Sequence, residues 1–240
     1  MKRTKPPFRA DQVGSLLRSP ALKTARTKRA TGEITPAELK AVEDAEIRKL
    51  VARQEEIGLQ AVTDGEFRRS WWHYDFLAGL DGVELVSVAQ GLQFKGTETK
   101  AEGLHVHGKI DFTDHPMIEH FKFVAANTKV TPKISIPGPS CVHFRTEAAN
   151  IQVPEYKDLS LYFGDLSRTY AKAVQAFYDA GCRYLQVDDI YFAYLGDEKI
   201  RAQKKAEGVD PDWLIDQYAL MMHEAIKDRP ADMPNLKTHT

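Results

Sequence analysis

Tyr184-Leu185-Gln186-Val187-Asp188-Asp189 is the stretch that decides the fold, because it reads as a short apolar strand that ends in two acids. Gly181 precedes it and predicts the end of a helix, so the local order is helix, then strand. In a parallel α/β sheet or barrel, functional side chains gather at the carboxyl ends of the strands. Asp188 and Asp189 are therefore candidate functional residues, although either acid could equally cap the segment that follows.

The same pattern is found at four other places along the chain. Strands followed by glycine or polar residues are predicted to end near Gly14, Gly65, Gly138 and His239, with helical segments between them. A repeated strand and helix is typical of a right-handed parallel series. A doubly wound sheet also fits, but polar residues at every strand end favour strand ends that converge on one rim, as in a (β/α)8 TIM barrel.

Five strands are too few to close an eight-stranded barrel. We therefore predict one incomplete TIM-barrel domain over residues 1–240, which is either part of a longer polypeptide or leaves a sheet edge for a partner to cover. Residues 83–112 alternate apolar with polar side chains, which predicts an inserted antiparallel β-hairpin arm. His105 and His107 share one face of this arm, where a solvated polar face is a simpler explanation than a metal site.

Composition limits the classes of function. The 240 residues carry 33 basic and 34 acidic side chains, with a formal net charge of −1, which gives no indication of a nucleic-acid partner. No apolar run is long enough for a membrane span, and the N-terminus lacks the apolar segment of a signal peptide, so we expect a cytoplasmic protein. The two cysteines, Cys141 and Cys182, are too few for a disulfide framework.

A cluster of aromatic residues follows the predicted strand end at Gly65. It includes Trp71, Trp72, Tyr74 and Phe76. Aromatic side chains at this density just past a strand end can line a ligand pocket, or they can form a small satellite core beneath a loop. The sequence leaves both interpretations open.

Five motifs, taken together and in order, resemble the catalytic domain of cobalamin-independent methionine synthase and its single-barrel relatives, a barrel of the methionine synthase/uroporphyrinogen decarboxylase type. The motifs are FRADQVGSLLR at 8–18, VTDGEFRR at 62–69, PGPS at 137–140, LQVDD at 185–189 and THT at 238–240. The resemblance implies a zinc-dependent transfer of a methyl group from a donor of the 5-methyltetrahydrofolate type to the thiolate of homocysteine, which gives methionine.

The resemblance also implies roles for single residues on the thiol side. Val13, Gly14 and Ser15 match the family's loop around the homocysteine carboxylate, whereas Glu66 and Asp188 match the acids that hold its amino group. Such an arrangement is chemically reasonable, because an amino-acid zwitterion needs acceptors for its ammonium group and donors for its carboxylate. These residues come from different predicted strand ends, so they must converge in the fold.

The donor and metal sides depart from the family pattern. Where the large enzymes place a tryptophan after Gly-Pro, this chain has Cys-Val-His-Phe-Arg at 141–145, so the candidate donor-binding residues are Phe144, Arg145 and Trp71. His239 matches the histidine of the family's zinc pair, but the other ligands have no counterpart, so the resemblance implies zinc at a site that is incomplete in this chain. We assign no catalytic residue and expect little transferase activity from these 240 residues.

Other functions stay open at this point. The same barrel resembles other zinc-dependent alkyl or thiol transferases and uroporphyrinogen decarboxylase, and the chain could instead be a catalytically inactive binding or assembly subunit. We expect small-molecule ligands, homocysteine or a related thiol among them, and no nucleic-acid or membrane partner. Association of identical chains is also open.

Overall fold

The computed structural model describes residues 5–87 and 102–233, together with the backbone of the strand at 235–239. The helices are α1 (Pro20–Ala30), α2 (Pro36–Glu56), α3 (Tyr74–Leu77), α4 (Pro116–Ala126), α5 (Ser140–Arg145), α6 (Leu159–Asp179), α7 (Tyr191–Tyr194), α8 (Glu198–Ala206) and α9 (Pro211–Ile226), with 3-10 turns at Ala148–Asn150 and Pro154–Lys157. The strands are β1 (Ala61–Val62), β2 (Asp81–Ser87), β3 (Glu102–Asp111), β4 (Thr131–Pro132), β5 (Ile134–Pro137), β6 (Tyr184–Asp188) and β7 (Asn235–His239).

Parallel strands form the centre of the fold. β1 pairs with β4, and β5, β6 and β7 pair side by side in that order, all of them parallel. β4 and β5 are consecutive pieces of one chain path, joined at Lys133, whose N–H donates to the Val62 carbonyl (2.9 Å). The β4–β5 path therefore links the two groups, and the strands follow one another in the order β1, β4–β5, β6 and β7.

The α/β class and the parallel order agree with the prediction, but the strand count does not. The strand predicted to end at Gly14 is wrong, because no strand forms between residues 5 and 19. Gly14 adopts a left-handed backbone (φ 76°), which ends any extended run, and the Leu16 N–H donates to the Gly65 carbonyl (3.1 Å), past the end of β1. Four parallel strand paths stand where five were predicted, and the described residues do not close a barrel.

The long helices follow from the sequence. At the start of α2 the Thr35 hydroxyl accepts from the Glu38 N–H (3.2 Å) and the Glu38 carboxylate accepts from the Thr35 N–H (2.8 Å), with Pro36 at the first helical position. The spacing of Thr35, Pro36 and Glu38 in the sequence is that of a capping box. Across the described ranges, every helix is too short or too polar to cross a bilayer.

The two faces of the parallel sheet differ in character. Ile134, Ile136, Leu185 and Val187 are buried in the main apolar core, together with residues of α6 and α9. Side chains alternate between the faces of a strand. The intervening residues therefore point the other way, and we call that side the inner face; it carries Lys133, Ser135, Tyr184, Gln186 and Asp188.

The N-terminal segment covers the inner face. Phe8 packs edge-on against Tyr184, with ring centroids 6.4 Å apart, and the two form a small cluster with Ala61. Further along the same segment, Ser15 reaches the residue that follows β1. The segment that lacks a strand therefore works as a cover for the polar side of the sheet.

The arm consists of β2 and β3, which pair antiparallel, and the turn between them lies outside the described residues. The register shifts between Asp81 and Val83, and Gly82 at that point has a left-handed backbone (φ 74°). β3 packs on α6 and makes a parallel bridge from Val106 to Ile151. That this arm is an insertion within a single domain stays a prediction.

Gly82→Ala is expected to destabilise the fold by about 1–3 kcal/mol. A Cβ at this position would lie 2.5 Å from the Gly108 carbonyl oxygen and 2.6 Å from that of Lys109, and alanine disfavours a positive φ. Urea unfolding of the variant measures the change. Gly208→Ala is the matched control, since Gly208 also has a positive φ (82°) but open space around it; an equal loss in both variants would contradict the contact explanation.

Candidate active site at the carboxyl ends of the strands

Glu66, just after β1, is the centre of the candidate site. It is buried, with 4% exposure, and it has a left-handed backbone (φ 58°), which is costly for a residue other than glycine. Ser15 donates its hydroxyl hydrogen to Glu66 Oε2 (2.6 Å), and Ser135 Oγ lies 3.5 Å from Oε1. A strained and buried carboxylate that contacts two separate segments is a typical feature of a functional site.

Two arginines hold this acid in place. Arg69 Nη1 lies 3.7 Å from Glu66 Oε1, and its Nη2 donates to the Ser135 carbonyl (2.7 Å). Arg18 donates to the Glu66 carbonyl (2.9 Å). The carboxylate is therefore fixed by positive charge from one side, which leaves its position well defined for a ligand.

Asp188 lies at the end of β6, in register with Pro137 and with the backbone of His239. It accepts a hydrogen bond from Gln186 Nε2 (2.5 Å). Gln186 is in register with Ser135, the residue that approaches Glu66, so both acids lie on the inner face. Neighbouring strands are about 4.8 Å apart. The structure thus brings Ser15, Glu66 and Asp188 to one face and one end of the sheet.

The loop at Val13 and Gly14 lies next to these acids through Ser15. Val13 is exposed, with 39% of its surface accessible, and its carbonyl and that of Gly14 both accept from Gln12 Nε2 (3.1 Å each). The left-handed conformation of Gly14 turns the backbone here. The loop predicted to surround a carboxylate therefore sits at the edge of the same site.

A buried ion pair fixes this loop, and the sequence interpretation missed it. Lys133 is 1% exposed, and its Nζ donates to Asp11 Oδ1 (3.0 Å) and to the Gln12 carbonyl (2.6 Å). The Tyr184 hydroxyl donates to the other oxygen of Asp11. Because a buried charge must be paired, this contact ties the N-terminal segment to β4–β5 and β6.

The two adjacent acids that opened the sequence analysis differ in environment. Asp189 is fully buried, and burial raises the pKa of its carboxyl group. Ser140 donates to its Oδ1 (2.5 Å), whereas Oδ2 packs against Gly138 and has no partner within the described residues. Asp189 therefore joins the turn after β5 to the end of β6, and Asp188 alone faces the inner side.

Trp71 belongs to a second cluster beside the arm. Its indole N–H donates to Glu102 Oε2 (2.6 Å) at the start of β3, and its ring packs against His73 and Tyr74, with centroids 5.8 Å away in both cases. His73 is fully buried, and neither ring nitrogen has a hydrogen-bond partner among the described residues. Burial, helped by the charge of Arg145, lowers the pKa of His73 to about 3.

Phe144 and Arg145 lie together on α5. The Phe144 ring packs on Tyr191 and Tyr194, with centroids 4.5 and 5.7 Å away, and Arg145 Nε donates to the Tyr191 hydroxyl (2.7 Å). Both residues line a cavity of about 920 Å³ between α5, the 3-10 turns and α8. Trp71 does not line this cavity; the charge of Arg145 on His73 is what connects the two clusters.

The described residues do not supply a metal site. No group of three His, Cys, Asp or Glu side chains that could hold an ion occurs within 5–87 and 102–233. The side chain of His239, the predicted ligand, lies outside the described residues. On the arm, His105 Nδ1 contacts Glu84 Oε1 (2.8 Å), and the His105 and His107 rings lie 5.8 Å apart.

Comparisons with known proteins give a consistent result. Residues 8–228 match the sequence pattern of the family described as cobalamin-independent synthase, catalytic domain. The uncharacterized protein YxjG of Bacillus subtilis strain 168 is 49% identical over 235 residues, which are 97% of this chain and 61% of that protein. A 5-methyltetrahydropteroyltriglutamate–homocysteine methyltransferase from Synechococcus is 39% identical over 77 residues, 32% of this chain and 10% of that protein.

A solved structure matches as well. A Listeria monocytogenes protein, assigned provisionally as a vitamin-B12 independent methionine synthase, superposes with a TM-score of 0.78 and 43% identity, over 95% of this chain and 63% of that one. The chain thus spans about 61–63% of the length of these relatives.

Proposed function

The chain belongs to the family of the cobalamin-independent synthase catalytic domain, and on that premise we propose that it binds homocysteine and presents its sulfur to a methyl donor in a cytoplasmic methyltransferase. The donor would be of the 5-methyltetrahydrofolate type, and the product methionine. The relatives that share the longest matches extend well beyond this chain, so the proposal concerns the part of the site that these residues build.

One observation carries the proposal: Ser15 donates to Glu66 on the same inner face that holds Asp188. An ammonium group needs acceptors, and two carboxylates from different strand ends provide them. A carboxylate needs donors, and we assign these to the backbone N–H groups of the loop at Val13, Gly14 and Ser15, beside Glu66. The arrangement suits a small zwitterion, which is the common part of homocysteine and methionine.

In the proposed reaction the sulfur of the thiolate forms a bond to the methyl carbon, and the bond from that carbon to the donor nitrogen breaks. The electron pair stays on nitrogen, which must take up a proton. Glu66 and Asp188 would bind and orient the amino group, without taking part in the bond changes. Phe144, Arg145 and Trp71 are proposed for the donor side, where Phe144 and Arg145 share a cavity wall.

Zinc is the cofactor that the family implies, and when bound it would lower the pKa of the substrate thiol. Within the described ranges the residues do not fit such a site, as shown above. His239 stays the proposed ligand, and no step of the reaction is derived through the metal. The roles of Glu66 and Asp188 in binding the amino group do not depend on it.

Glu66→Gln and Asp188→Asn are each expected to weaken homocysteine binding by about 10- to 100-fold, because each removes one charged hydrogen-bond partner. Titration calorimetry measures the affinity of each variant. Asp228→Asn is the matched control, since Asp228 is exposed on the helical side and should leave the affinity unchanged. Wild-type affinity in both site variants would refute the proposed role.

A further inference from the structure

The cavity beside α5 contains a positive charge without an acidic partner. Arg145 is partly buried, and its Nε donates a hydrogen bond to the Tyr191 hydroxyl. Neither Nη atom has a hydrogen-bond partner among the described residues. The faces of Tyr191 and Tyr194 lie 5.5 and 5.9 Å from its guanidinium carbon. The guanidinium is therefore held in position by aromatic rings, with its two terminal nitrogens left for another group.

Two other arginines of low exposure have acidic partners. Arg68, with 5% exposure, is paired with Glu43 (3.1 Å) and Asp44 (2.5 Å). Arg69, with 3% exposure, has Glu66 beside it. Taking a cation out of water is costly unless an anion accompanies it. Arg145 differs because the described residues place no carboxylate beside it.

The rest of the lining leaves the cavity net positive. Lys204 has 17% of its side chain exposed, pairs with Glu207 (2.7 Å), and lies over the Phe144 ring at 5.1 Å. His143 adds no charge at neutral pH, because burial, followed by the charge of Lys204, lowers its pKa to about 4. Three cations and two acids line the space; they are Arg145, Lys157 and Lys204 against Glu147 and Glu207.

We propose that this cavity binds an organic anion whose carboxylate or phosphate oxygens take both Nη groups of Arg145. The planar guanidinium fork matches either group with two parallel hydrogen bonds. Arg145 lies on α5, which follows β5, and its partner Tyr191 follows β6, so Arg145 lies beyond the carboxyl ends of these two strands.

The remaining walls suggest an apolar body attached to this anion. Ile151, Val153, Leu159 and Val209 line the cavity together with the Phe144 ring. The volume of about 920 Å³ lies within the range that holds a ligand of drug size. Only the assignment of this ligand as the second substrate rests on the proposed function; the anion site itself rests on the charges and the cavity.

The test is a titration of the protein with phenyl phosphate, benzoate and the neutral benzamide, which share one aromatic ring. We expect at least one anion to bind about tenfold or more tightly than benzamide, and the stronger of the two identifies the preferred group. Arg145→Met should lower the affinity for that anion by about 10- to 100-fold. Arg145→Lys should lower it by less, since lysine keeps the charge but lacks the planar guanidinium fork.

Arg168→Met is the matched control. Arg168 lines a neighbouring cavity, but its charge is already paired with Asp165, so anion binding should stay unchanged. Benzamide binding as tightly as both anions overturns the proposal, even if Arg145→Met fails to fold, and so does an equal loss in the Arg168 variant. None of these titrations contains homocysteine, so the Glu66 and Asp188 variants test the proposed function separately.

Discussion

Replacement of Lys133 by methionine is expected to lower the free energy of unfolding by about 3–5 kcal/mol. The ammonium group of Lys133 is 1% exposed and binds Asp11 and the Gln12 carbonyl. Its removal would take the ammonium group away from the buried Asp11 carboxylate, which also accepts from the Tyr184 hydroxyl. Because breaking a buried ion pair is costly, the N-terminal segment should detach before the rest of the sheet unfolds.

Chemical unfolding followed by circular dichroism measures this loss. Lys109→Met is the matched control: the Lys109 side chain is 75% exposed and lies 3.9 Å from Asp165, so its loss should cost less than about 1 kcal/mol. The double variant Asp11→Asn with Lys133→Met should recover part of the stability, since no charge is then stranded. If Lys133→Met and Lys109→Met behaved alike, the buried ion pair would not be what fastens the segment.

Acid is expected to destabilise this protein through its buried histidines, and His73 and His143 are two of them. Burial lowers the pKa of His73 to about 3 and that of His143 to about 4, whereas an unfolded histidine titrates near 6.5. The unfolded chain therefore binds more protons, so this stability is present above pH 6.5 and lost as the pH falls toward 4. Each histidine contributes a slope of about 1.4 kcal/mol per pH unit, about 5 kcal/mol for the pair between pH 6.5 and 4.5.

His73→Phe isolates the part of this effect that comes from His73. His73 makes no hydrogen bond among the described residues, so phenylalanine keeps the ring packing and removes only the titrating group. The free energy of unfolding, measured by urea titration at several pH values, should fall less steeply toward acid in this variant. His223→Phe changes an exposed histidine and should keep the wild-type slope. If the slope for His73→Phe equalled that of the wild type, His73 would take up its proton in the folded state as readily as in the unfolded chain, which would contradict the prediction.

Four of the helices, α2, α4, α6 and α9, and the ends of four parallel strands could be predicted from the sequence. Thr35-Pro36 with Glu38 is a capping signal for the start of α2, and the apolar stripe from Leu166 to Phe177 has the helical spacing of α6. These signals are local, because capping and helical spacing act within a few residues. The N-terminal strand failed as a prediction for the opposite reason, since its pairing depends on distant partners.

The polar inner face was missed although a signal for it exists. Lys133-Ile134-Ser135-Ile136 and Tyr184-Leu185-Gln186-Val187 both alternate polar or amphipathic with apolar residues, which indicates strands with two different faces. The prediction for residues 184–188 is a short apolar strand, without a polar face. The pairing of Lys133 with Asp11 could not be derived, because it joins residues 121 positions or more apart through a segment without regular structure.

Because polar and apolar residues alternate along β5 and β6, the pairing register between these strands cannot shift by even one residue. A shift of either strand by one position would turn Ile136 or Val187 toward the N-terminal segment. It would also place Ser135 or Gln186 in the apolar core beside α6. Such a misaligned sheet would lose both its hydrocarbon packing and the proposed amino-acid site. The candidate site therefore forms only when the strands pair in the correct register.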